Sequence, residues 1–131
     1  MICAVSMSSS DALPSPGATL RGLAALALIA NIAIHAYLAP EHVEEIPYIG
    51  AGFVAACMLL TGVLVGLLVW PGDRSMWQTG VVLSIGMAVL FVISRTLGLP
   101  GYREAWTSDG GLGLVCLVPE ALFVACAIRT L

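Results

Sequence analysis

The sequence predicts an all-α integral membrane protein that folds as an up-and-down bundle of four transmembrane helices. Its composition is the first observation, because 60% of the 131 residues are hydrophobic and only 10% are charged, with a mean hydropathy of +1.01. A water-soluble domain of this length would not carry such values. The second observation is that four apolar runs are each long enough to cross about 30 Å of hydrocarbon, which takes roughly 20 helical residues.

The predicted spans cover residues 20–39, 48–70, 76–98 and 112–131. The connections between them are too short to cross the membrane, so successive helices should run antiparallel. Residues 1–19 are rich in Ser, Ala and Pro, which predicts a disordered N-terminal tail before the transmembrane domain. Met7 is an alternative start to Met1.

Pro40 is predicted to end the first span, because proline lacks a backbone donor and disfavours helix at the residue before it. The residues that follow should then form an acidic loop at the membrane rim. The candidates for a role in this loop are Glu41, His42, Glu44, Glu45 and Tyr48.

Charge bias predicts the orientation in a cell membrane. Arg21, Arg74 and Arg129 fall on one side of the alternating spans, and arginines concentrate on cytoplasmic flanks. The other side carries most of the acids, including those after Pro40. Both termini are therefore predicted to be cytoplasmic.

Four polar residues inside the spans are the candidate site. Glu120 follows Pro119 within the fourth run, Asn31 and His35 share one face of the first helix, and Arg95 lies about one turn from the outer end of the third. Charged groups at such positions face the bundle interior and mark functional sites by default. We expect His35, Arg95 and Glu120 to meet in the outer half, with Arg95 either reaching water or pairing with Glu120.

Two interpretations of this cluster stay open. In the first, Arg95 and Glu120 are a structural ion pair, and His35 and Asn31 add hydrogen bonds between helices, each worth roughly 0.6–2 kcal/mol. In the second, the cluster is a proton-carrying or ligand-binding pocket open to the outside.

Metal, cofactor and nucleic-acid functions fit less well. His42 and Glu45, with Glu41 and His35, make an outer metal site conceivable, but rim carboxylates usually belong to a solvated loop, so no metal is predicted. A bis-His haem needs facing histidines, whereas His42 should lie in the loop, so no cofactor is predicted. A net charge of -3 without any Lys leaves no basic patch for nucleic acid.

Small residues at helical spacing predict close helix packing. Gly62 and Gly66 form a G-x-x-x-G pair on the second helix, and Gly80 and Ser84 form a similar pair on the third. Packing within one chain is the expected use, and the oligomeric state stays open.

Two stretches of the chain resemble a known group of proteins. These are the run from Pro40 to Gly50 and the run from Ser94 to Gly101, followed by Trp106 and Glu120. They are similar to uncharacterised small four-helix membrane proteins of high-GC Gram-positive bacteria. The resemblance implies a bacterial plasma membrane and implies no activity.

Three classes of function follow. An accessory or scaffold subunit of a larger membrane complex is favoured by the small size and the lack of a catalytic motif. A small-molecule or ion- or proton-handling protein with an outer pocket around Glu120 is the alternative, because Pro119 beside Glu120 resembles the interrupted helices of transporters. An enzyme is least expected. The predicted partners are the lipid bilayer and either a membrane protein or further copies of this chain.

Overall fold

The computed structural model describes residues 16–131, and this part of the chain is helical apart from its turns and connections. The helices are α1 (Pro16–Glu45), α2 (Pro47–Val69), α3 (Arg74–Thr96) and α4 (Leu112–Thr130). All four are long and apolar enough to cross a membrane, which confirms the predicted helices. Residues 16–19 belong to α1 rather than to the predicted tail, and residues 1–15, with both candidate start methionines, lie outside the described residues.

The helices form a ring in which α1 packs on α2 and α4, and α3 packs on α4 and α2. Each junction brings the end of one helix against the start of the next through a glycine that leaves no room for a side chain. Gly50 meets Val43, Gly66 meets Met76 and Gly113 meets Phe91. Successive helices are therefore antiparallel. We call the end of the bundle that carries residues 97–111 the loop end, and the opposite end the terminal end.

The prediction that the first helix ends at Pro40 is wrong, because α1 continues to Glu45 with Pro40 inside it. A helix tolerates proline when tertiary packing outweighs the lost backbone hydrogen bond. Here the turn after Pro40 is held by His42, which is only 3% exposed. Its Nδ1 donates to the Leu38 carbonyl over 2.8 Å, and its ring stacks on Phe53 of α2. His42 is thus a buried helical residue rather than part of a rim loop.

The apolar core lies toward the terminal end. Trp77 of α3 stacks on Phe123 of α4 with ring centroids 5.8 Å apart, and Gly80 lies directly against the Phe123 ring. The predicted small-residue contacts are therefore made within the chain at Gly66 and Gly80, whereas Gly62 faces open space. The buried cluster comprises Ala24, Ala27, Leu28, Leu60, Val63, Leu67, Trp77, Phe123, Cys126 and Ala127.

Residues 97–111 connect α3 to α4 and fold over the loop end. Gly98 has φ +83° and Gly111 has φ +84°, a left-handed conformation that favours glycine, and they lie where α3 ends and α4 begins. Between them, Leu99 and Tyr102 exchange backbone hydrogen bonds in a tight turn. This segment forms the roof of the site described next.

Candidate functional site

A cavity of about 350 Å³ lies between the four helices near the loop end. Its walls are mainly apolar and include Ile34, Leu38, Ile49, Phe53, Leu90 and Leu117. Its polar lining groups are His35, Ser94, Arg95, Tyr102, Asp109 and Glu120. An apolar cavity with a few convergent polar groups is the usual form of a small-molecule site.

Glu120 lies in the wall of this cavity, eight residues into α4 and so about 12 Å from the start of that helix. It is 5% exposed, and its Oε2 has no hydrogen-bond partner among residues 16–131. The Asn31 side chain is a hydrogen-bonding partner of this carboxyl group. Because most buried polar atoms are hydrogen-bonded, the free oxygen marks a position where a donor is missing.

Asn31 and Cys116 lie next to Glu120, and His35 contacts both of them; we call these four residues the Glu120 cluster. The Cys116 thiol donates to the Asn31 side-chain oxygen over 3.0 Å. His35 Nδ1 donates to the Asn31 carbonyl over 3.0 Å, which leaves His35 Nε2 as the free ring nitrogen. The structure therefore brings three of the predicted residues, Asn31, His35 and Glu120, to one place.

Arg95 neither pairs with Glu120 nor reaches water, so the structure shows neither of its two predicted environments. Its Nη2 lies 2.8 Å from Glu104 Oε2 and 3.1 Å from Asp109 Oδ2. Arg95 lies in the last turn of α3, from which its long side chain reaches toward the roof, and residues 97–111 fold back to supply both carboxylates. Its guanidinium also lies 4.6 Å from the centroid of the Phe91 ring.

Asp109 and Glu104 join the roof to the helices. The Asp109 carboxylate accepts hydrogen bonds from the backbone N–H groups of Gly111 and Gly113 at the start of α4. Glu104 Oε1 lies 3.5 Å from His42 Nε2 of α1. We call Arg95, Glu104, Asp109, His42 and Tyr102 the roof cluster.

Sequence reasoning missed Glu104, Asp109 and Tyr102 as members of a buried cluster. One signal was present, because an aspartate just before a helix is a common N-terminal capping residue. It indicates where α4 begins, but it does not indicate that the same carboxylate binds Arg95.

The remaining predicted rim residues divide into two groups. Glu41, Glu44 and Glu45 are exposed on the last turns of α1 and do not line the cavity. Tyr48 lines it, and its hydroxyl donates to the Pro100 carbonyl in the roof. Within residues 16–131, no three His, Cys, Asp or Glu side chains are placed to hold a metal ion. His35 and His42 lie on the same helix, α1, rather than on facing helices.

The cavity opens to the side, between α2 and α3. Its three exposed lining residues are Tyr48 and Gly52 of α2 and Leu90 of α3. The same two helices are closely packed toward the terminal end, where Gly66 meets Met76 and Gly80 meets Val63. At the loop end, Leu99, Tyr102 and Asp109 of the roof cover the cavity. That the pocket around Glu120 opens to the outside stays a prediction.

Burial raises the pKa of Tyr102 to about 12, and Arg95 opposes part of this shift. The folded state therefore favours the neutral phenol, whose stabilising contribution is complete below the unfolded pKa of about 10 and is lost as pH rises toward 12. We expect the free energy of unfolding in detergent to fall over this interval. The matched variant is Tyr102→Phe, whose stability should fall less steeply. Parallel slopes for the two proteins would contradict the prediction.

The comparisons with known proteins leave the resemblance of the Pro40 and Ser94 stretches as a prediction. It rests on the quoted residues alone. No protein-family model, curated protein or solved structure matches this chain.

Proposed function

We propose that this chain is an integral membrane protein that binds a small molecule in the cavity at its loop end, with Glu120 as the polar anchor. One observation carries the proposal. Glu120 is buried in the cavity wall, and one oxygen of its carboxyl group lacks a donor within the described residues. A bound molecule that supplies this donor would complete the site.

The contacts of Arg95 and Glu120 distinguish the structural role from the ligand-binding role. Arg95 is bound by two carboxylates and a serine hydroxyl, as expected of a group that holds the bundle together. The carboxyl group of Glu120 has Asn31 as a hydrogen-bond partner, and its Oε2 has no donor among the described residues. These contacts favour a structural role for Arg95, although its Nε is also unpartnered, and a ligand-binding role for Glu120, which has no cationic partner among the described residues.

The membrane setting follows from the four apolar helices and is part of the proposal. Arginine placement favours cytoplasmic termini in a bacterial cell membrane, so that the loop end faces outward and the cavity lies in the outer leaflet. Within that half of the bilayer, a carboxyl group with a free oxygen is also a site for a proton, which ligand exchange could displace.

Native mass spectrometry of the protein released from mild detergent tests the binding function. We expect wild-type protein to carry a bound small molecule and Glu120→Gln to lose it at unchanged monodispersity, because the amide conserves shape but not charge. Glu44→Gln is the matched control on an exposed carboxylate of α1 and should retain the molecule.

Retention of the bound molecule by Glu120→Gln, or its absence from wild-type protein, would contradict the proposal. Co-purification of a stoichiometric second membrane protein would instead support the accessory-subunit function expected from the small size of the chain. That function stays a prediction.

A further inference from the structure

We infer that the ligand of this cavity is an amphipathic amine, an organic ammonium ion with an apolar body, and that it enters from the lipid between α2 and α3. The inference rests on the proposed role of Glu120 as the anchor. Beyond that role, the inference assigns the charge of the ligand, its hydrogen-bond donor group and its route of entry.

The charges around the cavity favour a cation. Among residues 16–131, Arg95 is the one arginine that lines the cavity, and its charge is matched by Glu104 and exceeded when Asp109 is included. One positive and two negative charges leave the roof cluster at −1 with neutral histidines, and ionised Glu120 adds a further negative charge. In an enclosure of low dielectric constant such a surplus attracts cations and repels anions.

The unpartnered oxygen of Glu120 indicates which headgroup the ligand carries. Glu120 Oε2 needs an N–H or O–H donor, and an ammonium group provides one with a charge-assisted bond. The lining ring of Tyr48 adds a face on which a cation is stabilised. The apolar walls accommodate a hydrocarbon body.

The exposed lining residues of the cavity indicate the route by which the ligand enters. Gly52 lies five residues into α2, about 8 Å along the helix from its start, and Leu90 lies at a similar depth on α3. Both are exposed on the side of the bundle, where lipid tails would contact them. Because the roof covers the loop end, a molecule dissolved in the bilayer reaches Glu120 without opening the ion pairs of Arg95.

The test uses full-length protein in nanodiscs of zwitterionic phosphatidylcholine, so that lipid charge does not concentrate any probe. The probes are octylammonium, octanol and octanoate, which share a chain and differ in the headgroup charge. We expect octylammonium to bind at least about tenfold more tightly than the other two, and Glu120→Gln to weaken it by about tenfold or more.

Two glycines of α2 provide matched variants for the route. A Cβ atom added at Gly52 or at Gly62 meets nothing within 4 Å, so both positions have open space for the first atom of a phenylalanine side chain. Gly52 lines the cavity opening and Gly62 does not. We expect Gly52→Phe to slow octylammonium association by about tenfold and Gly62→Phe to leave it unchanged.

The possible outcomes distinguish failure of the ammonium assignment from failure of the proposed binding function. Glu120-dependent binding of octanol or octanoate at equal strength would overturn the ammonium assignment and leave a ligand site at Glu120. Equal rates for Gly52→Phe and Gly62→Phe would overturn the lateral route. Absence of octylammonium binding, or binding that Glu120→Gln does not alter, would overturn the inference as a whole, while the bound mass in native spectra decides the proposed function independently.

Discussion

Replacing Arg95 with leucine is expected to destabilise the folded protein by about 3–5 kcal/mol, because removal of one partner of a buried ion pair leaves the others uncompensated. Two carboxylates are left here, those of Glu104 and Asp109, and Arg95 itself is only 7% exposed. The measurement is reversible unfolding in detergent at neutral pH. Arg103→Leu, which removes an exposed arginine from the same connection, should change stability by less than about 0.5 kcal/mol.

A rescue experiment identifies the partners of Arg95. Adding Glu104→Gln and Asp109→Asn to Arg95→Leu should restore much of the lost stability, because the two amides carry no charge and an asparagine still accepts from the start of α4. Adding Glu120→Gln alone to Arg95→Leu should restore nothing. Rescue by Glu120→Gln would show that Arg95 pairs with Glu120 and that the observed partners are wrong.

Replacing Phe123 with alanine is expected to cost about 3–5 kcal/mol, the usual range for a large aromatic side chain removed from a packed core. Phe123 is 1% exposed and contacts both Trp77 and Gly80 of α3, so α3 loses a main contact with α4. The expected result is a large fall in thermal stability. The measurement is thermal unfolding followed by circular dichroism and tryptophan emission.

Leu122→Ala is the control, because Leu122 is the adjacent residue of α4 and is 39% exposed on the outside of the bundle. It removes a similar apolar group from a surface that lipid or detergent covers, so its effect should be much smaller. Equal losses for the two variants would show that α4 is rotated relative to the bundle and that Phe123 does not face the core.

Hydropathy and spacing were sufficient to predict the helices and part of the site. Each span is a local property, since about 20 consecutive apolar residues form a helix of spanning length whatever surrounds them. Asn31 and His35 share a face because they are four residues apart, and in the structure His35 contacts Asn31, which contacts Glu120. A buried carboxylate was also expected to face the bundle interior, and Glu120 does.

The helix boundary at Pro40 shows where local rules are insufficient. Proline weakens a helix by removing one donor and crowding the preceding turn, which favours a break when nothing else acts on the segment. In this chain the hydrogen bond from His42 to Leu38 and the stacking of His42 on Phe53 hold the next turn. Phe53 belongs to another helix, so its effect on α1 is not contained in the local sequence.

What the sequence by itself determined is the four apolar helices, their antiparallel order and the burial of Asn31 and Glu120, because periodicity and hydrophobic length act within one helix. Only the tertiary structure decided that Arg95 binds Glu104 and Asp109, that residues 97–111 cover the loop end, and that α2 and α3 separate beside Gly52. These features depend on which distant segments meet in space. The direction in which a connection folds, and the gap that two helices leave, are settled by packing among all the elements at once.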